Sequence, residues 1–331
     1  MSATHRQGDD ALRQIQSEDG NVRALAHSIA VSLGRVLNGR PDAIESAIIT
    51  LLAGGHLLIE DVPGVGKTTL ATTLARSIDA TSRRIQFTSD MLPTDITGVS
   101  VYDQDQRQFE FHPGPIFTNI VVGDEVNRAT PKTQSALLEA MGEHSVTIDG
   151  TTHSLPELFM VVATQNPQDM EGTFPLPEAQ RDRFMARISL GYPDAASEMA
   201  MLTARRLSDP AVAVTPVATV DEVVAARRVV ERVPLADEVA RYLVAIVSAT
   251  RTHPGITLGG SPRATLHLSR MARSRAAVYG RDFVSPDDVG ALAGRVLPHR
   301  LAPSGHFATA GNALSAASEI VHEIVARTPV R

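Results

Sequence analysis

Short apolar runs alternate with longer amphipathic stretches through the first part of the chain. Five runs are predicted to be strands, at residues 57–59, 84–87, 120–122, 159–163 and 186–190. The first, third and fourth are almost purely apolar, which is typical of strands buried on both faces of a parallel sheet. Helical periodicity precedes or separates them at 22–36, 41–52, 67–78 and 132–142. The pattern predicts an α/β domain with a five-stranded parallel sheet between helices.

Two stretches break this alternation with a period of two. Residues 98–111 carry alternating apolar side chains around a polar tip, and residues 146–155 contain Asp149-Gly150, a signal of a tight hairpin turn. After Tyr192-Pro193 only helices are predicted, at 197–208, 221–229, 236–250, 262–279 and 286–297. The sequence therefore predicts a loose tail (1–18), an α/β core (19–190) with hairpin insertions at 98–111 and 146–155, and an all-helical lid (195–331).

Composition narrows the class of protein. The chain has 331 residues, 43% of them hydrophobic and 21% charged, which is enough for two domains with a sizeable core. There are no cysteines, so disulfides, thiolate zinc sites and cysteine nucleophiles are excluded. The first 18 residues are polar, and no apolar run approaches the roughly 20 residues of a membrane helix. We expect a soluble, cytoplasmic protein without membrane insertion.

A strand, a glycine-rich turn and a helix follow one another over residues 57–78. In such a turn the glycines let the backbone approach phosphate oxygens, and the N–H groups at the helix start favour an anion. Lys67 would add positive charge at the β- and γ-phosphates, and the Thr68 hydroxyl can ligate Mg²⁺. The nucleotide-binding residues predicted here are Pro63, Gly64, Val65, Gly66, Lys67, Thr68 and Thr69.

The turn departs from the general pattern G-x-x-x-x-G-K-[ST] at one position, because Asp61 stands where the first Gly is usual. A chance glycine-rich turn is the alternative, but the strand before it and the helix after it favour a phosphate loop. The sequence has no Asn-Lys-x-Asp motif for reading guanine, so ATP is favoured over GTP. We therefore expect Mg-ATP to bind.

The apolar run at 120–122 leads into the acidic pair Asp124-Glu125. Ligands of open α/β sheets bind at the carboxyl ends of the strands, where this pair should lie. Asp124 is predicted to hold Mg²⁺ together with Thr68, and Glu125 to orient and deprotonate the attacking water. A solvated acidic pair at a strand end is the alternative, which the phosphate loop disfavours.

In combination, four segments resemble the MoxR-type AAA+ ATPases. They are Glu60-Asp-Val-Pro-Gly-Val-Gly-Lys-Thr68, Gly123-Asp-Glu-Val-Asn-Arg-Ala129, Ala163-Thr-Gln-Asn-Pro167 and Leu176-Pro-Glu-Ala-Gln-Arg-Asp-Arg-Phe184. The similarity runs from about residue 20 to the end of the chain, and Asp at position 61 also occurs in that family. Gly123 stands where Ala is more usual, and Arg181 stands where an apolar residue is more usual.

The resemblance implies roles for three further residues and an assembly. Asn166 matches sensor 1, which helps to position water. Arg183 matches the arginine finger that reaches the γ-phosphate of a neighbouring subunit, with Arg181 as its rival. Arg263 matches sensor 2. The family implies an AAA+ P-loop NTPase core with a helical lid, nucleotide between core and lid, and a ring of identical subunits, expected to be a hexamer.

The implied output is chaperone-like remodelling or activation of target enzymes, with partners that carry a von Willebrand factor A domain. The two hairpins match the helix-2 insert and the pre-sensor-1 hairpin, which would face the pore or the partner. One alternative is a nucleic-acid motor or transcription regulator, which the acidic tip 103–106 and the net charge of 31 − 37 = −6 disfavour. The other is a non-hydrolysing nucleotide switch, which intact Glu125, Asn166 and Arg183 disfavour.

Overall fold

The computed structural model of the protein describes residues 21–166, 172–193, 195, 198–199, 214–307 and 309–330. The predicted tail 1–18 and most of the predicted helix 197–208 lie outside the described residues. In chain order the described strands are β1 (Leu57–Glu60), β2 (Ser82–Gln86), β3 (Gly98–Asp103), β4 (Gln108–Pro113), β5 (Ile120–Asp124), β6 (Ser145–Ile148), β7 (Thr151–Ser154), β8 (Met160–Gln165), β9 (Ala186–Ile188), β10 (Ile256–Leu258) and β11 (Ala302–Pro303).

The helices lie on both faces of the sheet and form the lid. They are α1 (residues 21–34), α2 (Pro41–Leu52), α3 (Lys67–Ser77), α4 (Pro93–Thr97), α5 (Pro131–Glu143), α6 (Glu178–Arg181), α7 (Val220–Arg232), α8 (Asp237–Thr252), α9 (Pro262–Val278), α10 (Pro286–Val296) and α11 (Ala310–Arg327). The short α4 and the long α11 were not predicted as separate elements.

The five predicted strands form one parallel sheet in the order β2-β5-β8-β1-β9. The strands β5 and β8 are almost completely buried, which explains their unbroken apolar sequences. The sheet register sets Asp124 opposite Gln86 and Glu60 opposite Gln165. Because the strands are parallel, their carboxyl ends meet at one edge, where the phosphate loop begins.

Two antiparallel hairpins project from this core, formed by β3–β4 and β6–β7. At the tip of the second, Asp149 and Gly150 have φ values of 49° and 79°. Positive φ at both central residues is what a two-residue turn needs to match the twist of its strands. On the first hairpin, Phe109 is 72% exposed and packs edge-on against Tyr102 at a centroid distance of 5.3 Å.

The described part of the lid is helical apart from one small antiparallel sheet, β10–β11. Its two strands have three and two residues, which is too short for a period of two to show in the sequence. The lid packs against α2: Ser274 Oγ donates to Ile49 O at 2.8 Å, and Arg227 Nε donates to Leu51 O at 2.8 Å. Within the described ranges, none of the helices combines the length and the apolar character needed to cross a bilayer.

Candidate functional site

The phosphate loop connects β1 to α3 and keeps its backbone accessible. Gly64 and Gly66 have φ values of 83° and 98°, in the left-handed region that other residues rarely adopt. A Cβ at Gly64 would meet no described atom within 4 Å, so the loop is an open cradle. Gly66 precedes the first residue of α3, whose free N–H groups point toward an anion site. Pro63, Val65 and Thr69 complete the loop and the first helical turn.

Lys67 and Thr68 begin α3 and face the carboxyl edge of the sheet. Lys67 Nζ donates to the carbonyl oxygens of Asp61 at 2.6 Å and Gln165 at 3.3 Å. Thr68 Oγ1 lies 3.1 Å from each carboxylate oxygen of Asp124. The two predicted metal ligands, 56 positions apart in the chain, are therefore in direct contact.

The Asp124 carboxylate is buried and has two further partners that the sequence did not indicate. Arg84 Nε lies 2.6 Å from Oδ2, and Thr164 Oγ1 lies 3.3 Å from Oδ1. Arg84 reaches Asp124 from β2, the strand that pairs with β5. In the sequence, Arg84 is only a charged residue within a predicted strand. Its partner could be identified only once the strand order was known.

Glu125 follows Asp124 in the left-handed conformation, with φ 59° and ψ 50°. Its backbone N–H donates to Thr164 Oγ1 at 3.1 Å. Its carboxylate Oε2 accepts from Arg128 Nε at 2.9 Å and from Gln86 Nε2 at 3.3 Å. Glu125 is thus turned out of the strand and held by side chains of β2 and of the turn that follows β5.

Asn166 lies directly after β8, buried at the same edge of the sheet. Its carbonyl accepts from Asn127 Nδ2 at 3.4 Å, which ties the end of β8 to the turn that follows β5. Because β5 and β8 are neighbours, this brings Asn166 to the edge that carries Asp124 and Glu125.

Arg183 and Arg263 both line a cleft of about 590 Å³ between core and lid, which is separate from the phosphate loop. Arg183 Nη1 donates to Leu138 O, and Arg263 Nη1 lies 3.3 Å from Asp182 Oδ2. A Cβ at Gly142 would lie 2.6 Å from Arg183 Nη1, so a glycine there leaves room for the guanidinium. The charged residues that line the cleft are Arg183, Arg227, Arg228, Arg263, Arg270, Glu157 and Glu231.

Positive charge exceeds negative charge in this cleft. Among its lining side chains Arg228 pairs with Glu157 at 2.8 Å. Arg227 Nη2 is buried without a hydrogen-bond partner among the described residues, and burial lowers the pKa of Arg227 to about 10 despite the opposing effect of Glu157 and Glu231. The cleft can therefore accept an anionic group.

Arg263 lies at the other end of α9 from a cavity beside the phosphate loop. That cavity of about 840 Å³ is lined by Leu37, Arg40 and Tyr279, among others. It adjoins the loop because Leu37 Cδ2 is 3.6 Å from the Cβ position of Gly66. Tyr279 follows the last residue of α9 and Arg263 is the second, so about 24 Å of helix separates them at 1.5 Å per residue.

Residues 37–41 form part of the cavity wall, but nothing in their sequence indicated this. Asn38-Gly39 predicted only the end of one helix, and Pro41 predicted only the start of the next helix. Arg181, the alternative candidate for the arginine finger, lines another cavity of about 210 Å³ together with Glu60 and Gln165. Its Nε has no hydrogen-bond partner in the described part of the chain.

Two family descriptions match the chain. The one described as "ATPase family associated with various cellular activities (AAA)" matches residues 56–186. The one described as "AAA lid domain" matches residues 248–324. The first match covers the sheet from β1 to the first residue of β9, and the second runs from the last turn of α8 into α11.

Curated relatives and a solved structure are also similar. The uncharacterized protein YeaC of Bacillus subtilis is 48% identical over 269 residues, covering 81% of this chain and 84% of that protein. Chaperone MoxR1 of Mycobacterium tuberculosis is 40% identical over 276 residues, covering 81% and 73%. Protein MoxR of Methylorubrum extorquens is 31% identical, covering 81% and 85%. A crystal structure from Cytophaga hutchinsonii superposes with a TM-score of 0.86 at 34% identity, covering 97% and 99%.

Proposed function

Because this chain belongs to the MoxR family of AAA+ ATPases, we propose that it binds and hydrolyses Mg-ATP at the phosphate loop. The observation that carries the proposal is the contact of the Thr68 hydroxyl with both oxygens of Asp124, at 3.1 Å. Lys67 lies at the same edge of the sheet, and Glu125 follows Asp124 directly. The four groups are those that a P-loop ATPase needs for phosphate, metal and water.

The residues present fit Mg-ATP. A hydroxyl and a carboxylate are the hard oxygen ligands that Mg²⁺ prefers. Thr68 and Asp124 would hold the ion, and bound Mg²⁺ would neutralise charge on the phosphate oxygens. The open loop at Gly64 can admit phosphates, and the adjoining cavity of about 840 Å³ can hold a purine nucleoside.

Glu125 and Asn166 would act on the attacking water. Asn166 would orient it with its side-chain amide, and Glu125 would accept its proton. In the described conformation Gln86 and Arg128 hold the Glu125 carboxylate. Both of these bonds are made to Oε2, so Oε1 is the carboxylate oxygen that would take the proton from the water.

Arg183 and Arg263 would complete the site of a neighbouring subunit. They share a cleft with excess positive charge, and Arg263 is about 24 Å of helix away from Tyr279 in the cavity beside its own phosphate loop. This separation favours an action of Arg263 in trans, beside the arginine finger. Such a finger contributes about 10³–10⁵ to the rate in comparable phosphoryl-transfer proteins. Hydrolysis would then require a ring, expected to be a hexamer.

The output of the ATPase cycle is proposed from the family. One relative is named a chaperone, and we propose chaperone-like remodelling or activation of a target protein here too. A partner with a von Willebrand factor A domain and the roles of the two hairpins remain predictions from the resemblance. A cytoplasmic location remains a prediction from the composition of the sequence. Fold alone does not fix the client.

ATP turnover measured against protein concentration tests the proposal. Specific activity should rise with concentration as rings form, and Glu125→Gln should lower kcat by about a hundredfold or more while retaining ATP binding. Glu139→Gln, at an exposed position on α5, is the matched control and should leave turnover unchanged. A wild-type chain that neither binds nor hydrolyses ATP at any concentration contradicts the proposal.

A further inference from the structure

Asp61, the residue that departs from the general phosphate-loop pattern, is bonded across the sheet to the segment that leaves β9. Its Oδ2 accepts from the backbone N–H groups of Leu190 and Gly191, each at 2.6 Å, and from Ser189 Oγ at 2.8 Å. Its Oδ1 accepts from the N–H of Val62 at 2.9 Å. A glycine at position 61 could make none of these bonds.

The carboxylate of Asp61 is ionised under ordinary conditions. Burial alone would raise its pKa, but the hydrogen bonds from Gly191, Ser189, Val62 and Leu190 outweigh burial and hold the pKa below its usual value. Bonds from backbone N–H groups to a charged carboxylate are shorter and stronger than neutral ones. The link between positions 61 and 191 is thus a strong one across 130 positions of chain.

The bonded segment, which we call the connector (residues 189–193), is the first part of the chain that runs from β9 toward the lid. Gly191 has φ 66°, and Arg40 Nη1 lies 3.6 Å from its Cβ position. Arg40 also lines the cavity beside the phosphate loop. The connector therefore lies between Asp61 on one side and the wall of the nucleotide cavity on the other.

The backbone of Asp61 contacts the phosphate-binding lysine. Its carbonyl accepts from Lys67 Nζ at 2.6 Å, and its N–H donates to Gln165 O at 3.2 Å. Lys67 Nζ has three N–H donors, so a bound phosphate would share the lysine with this carbonyl. One residue thus bonds to the group that senses nucleotide and to the segment that leads to the lid.

We propose that Asp61 is a positioning residue that couples nucleotide occupancy of the phosphate loop to the connector and through it to the lid. The inference rests on the proposed function, since it concerns what the ATP site does to the rest of the chain. It assigns to Asp61 the role of transmitting occupancy, while phosphate binding remains with Gly64, Gly66 and Lys67.

Three variants test the coupling of nucleotide binding to the connector, and their thermal unfolding controls for effects on folding. Asp61→Gly restores the general phosphate-loop residue, Asp61→Asn keeps the shape but removes the charge, and Ser189→Ala removes one of the four bonds. Glu60→Gln is the matched control, because this neighbouring carboxylate also joins β1 to β9, through Arg187 Nε at 2.8 Å, but does not touch the connector. Thermal unfolding of each full-length variant shows whether it is folded; if Asp61→Gly is not, Asp61→Asn and Ser189→Ala decide.

Hydrogen–deuterium exchange of the peptide covering the connector is measured with and without a non-hydrolysable ATP analogue. In the wild type and in Glu60→Gln, binding of the analogue should change the exchange rate of the connector peptide. In Asp61→Gly and Asp61→Asn the analogue should still bind, but the exchange rate of the connector peptide should stay the same. Their kcat should fall about tenfold or more with KM changed by less than about threefold, as for an interaction not used in ground-state binding. Ser189→Ala should give a smaller effect in the same direction.

Two outcomes distinguish this inference from the proposed function. If the wild type does not bind the analogue, the proposed function fails before Asp61 is tested. If the wild type binds it, but Asp61→Asn and Asp61→Gly respond at the connector and turn over as the wild type does, the coupling role of Asp61 is overturned.

Discussion

At the scale of single residues, the buried His56 and His299 and the half-buried His267 are held neutral by their surroundings. His56 Nδ1 accepts from the N–H of Val161 at 3.0 Å, so its Nε2 is the protonated nitrogen that donates to Met141 O at 3.2 Å. Burial lowers the pKa of His56 to about 3, against a raising effect of the Met141 carbonyl. Burial, followed by the charge of Arg300, also lowers the pKa values of His267 and His299.

The protein should lose stability between pH 7 and pH 5.5. In the unfolded chain these histidines take up a proton below their ordinary pKa of 6.5, whereas in the fold they do not. Stability is therefore full above pH 6.5 and falls as the pH drops toward the folded pKa, by about 1.3 kcal/mol per histidine at pH 5.5. Urea unfolding at pH 7 and at pH 5.5 measures this difference in the free energy of unfolding. His56→Gln should reduce the difference by about 1.3 kcal/mol, the contribution of one histidine; an unchanged difference contradicts the argument.

Arg84 should compete with Mg²⁺ for Asp124. Its guanidinium neutralises the carboxylate at 2.6 Å, although the arginine side chain is 61% exposed. Exposed ion pairs contribute up to about 1 kcal/mol, so Arg84→Gln should lower the half-saturating Mg²⁺ concentration for ATP turnover by about two- to fivefold. Arg83→Gln makes the same charge change on the opposite face of the strand and is the control. Equal Mg²⁺ dependence of both variants would rule out the competition.

At the scale of elements, four of the five described lid helices begin after a Ser or Thr N-cap, and the polar groups at these helix starts differ in burial. Thr219 caps α7 by accepting from the N–H of Glu222 at 3.3 Å, on the surface. Asp288, in the first turn of α10, is fully buried. It bonds to both Nη atoms of Arg281, to Arg275 Nη1 at 2.6 Å and to the N–H of Ser285 at 2.9 Å.

Removal of the buried carboxylate should cost much more than removal of the surface cap. Asp288→Ala removes the carboxylate that Arg281 and Arg275 both bond, leaves Arg275 with only the more distant Glu45 among the described carboxylates, and should lower the free energy of unfolding by about 3 kcal/mol or more. Thr219→Ala should lower it by about 1 kcal/mol. Chemical denaturation of both variants compares them directly, and equal losses would contradict the difference in burial as the cause.

At the scale of the whole molecule, core and lid form one body with two regions for nucleotide chemistry. The phosphate loop and Leu37 form one, and the cleft with Arg183 and Arg263 forms the other. The two regions lie apart within one chain. In a ring, the phosphate-loop region of one subunit could meet the arginine cleft of its neighbour at each interface.

Mixing variants tests this division. Glu125→Gln and Arg183→Ala should each be inactive alone, yet an equimolar mixture should recover about a quarter of the sites, those with an intact base beside an intact finger from the neighbour. Arg263→Ala mixed with Glu125→Gln should recover activity in the same way if Arg263 acts in trans. Arg181→Ala alone should retain activity. No recovery in either mixture would show that both arginines act within their own chain.

The sequence by itself determined the five strands of the parallel sheet, the two hairpins, most helices, the phosphate loop and the adjacency of Asp124 and Glu125. These features depend on local patterns: buried strands need apolar runs, and a phosphate loop needs glycines between a strand and a helix. Only the tertiary structure decided that Arg84 and Gln86 reach the acidic pair, that Tyr279 lines the cavity beside the loop, that Arg263 lies with Arg183, and that Asp61 holds the connector. The residues brought together in this way lie from 39 positions apart (Gln86 and Glu125) to 242 positions apart (Leu37 and Tyr279) in the chain. Local pattern cannot specify such pairs because they depend on strand order and on how the lid packs.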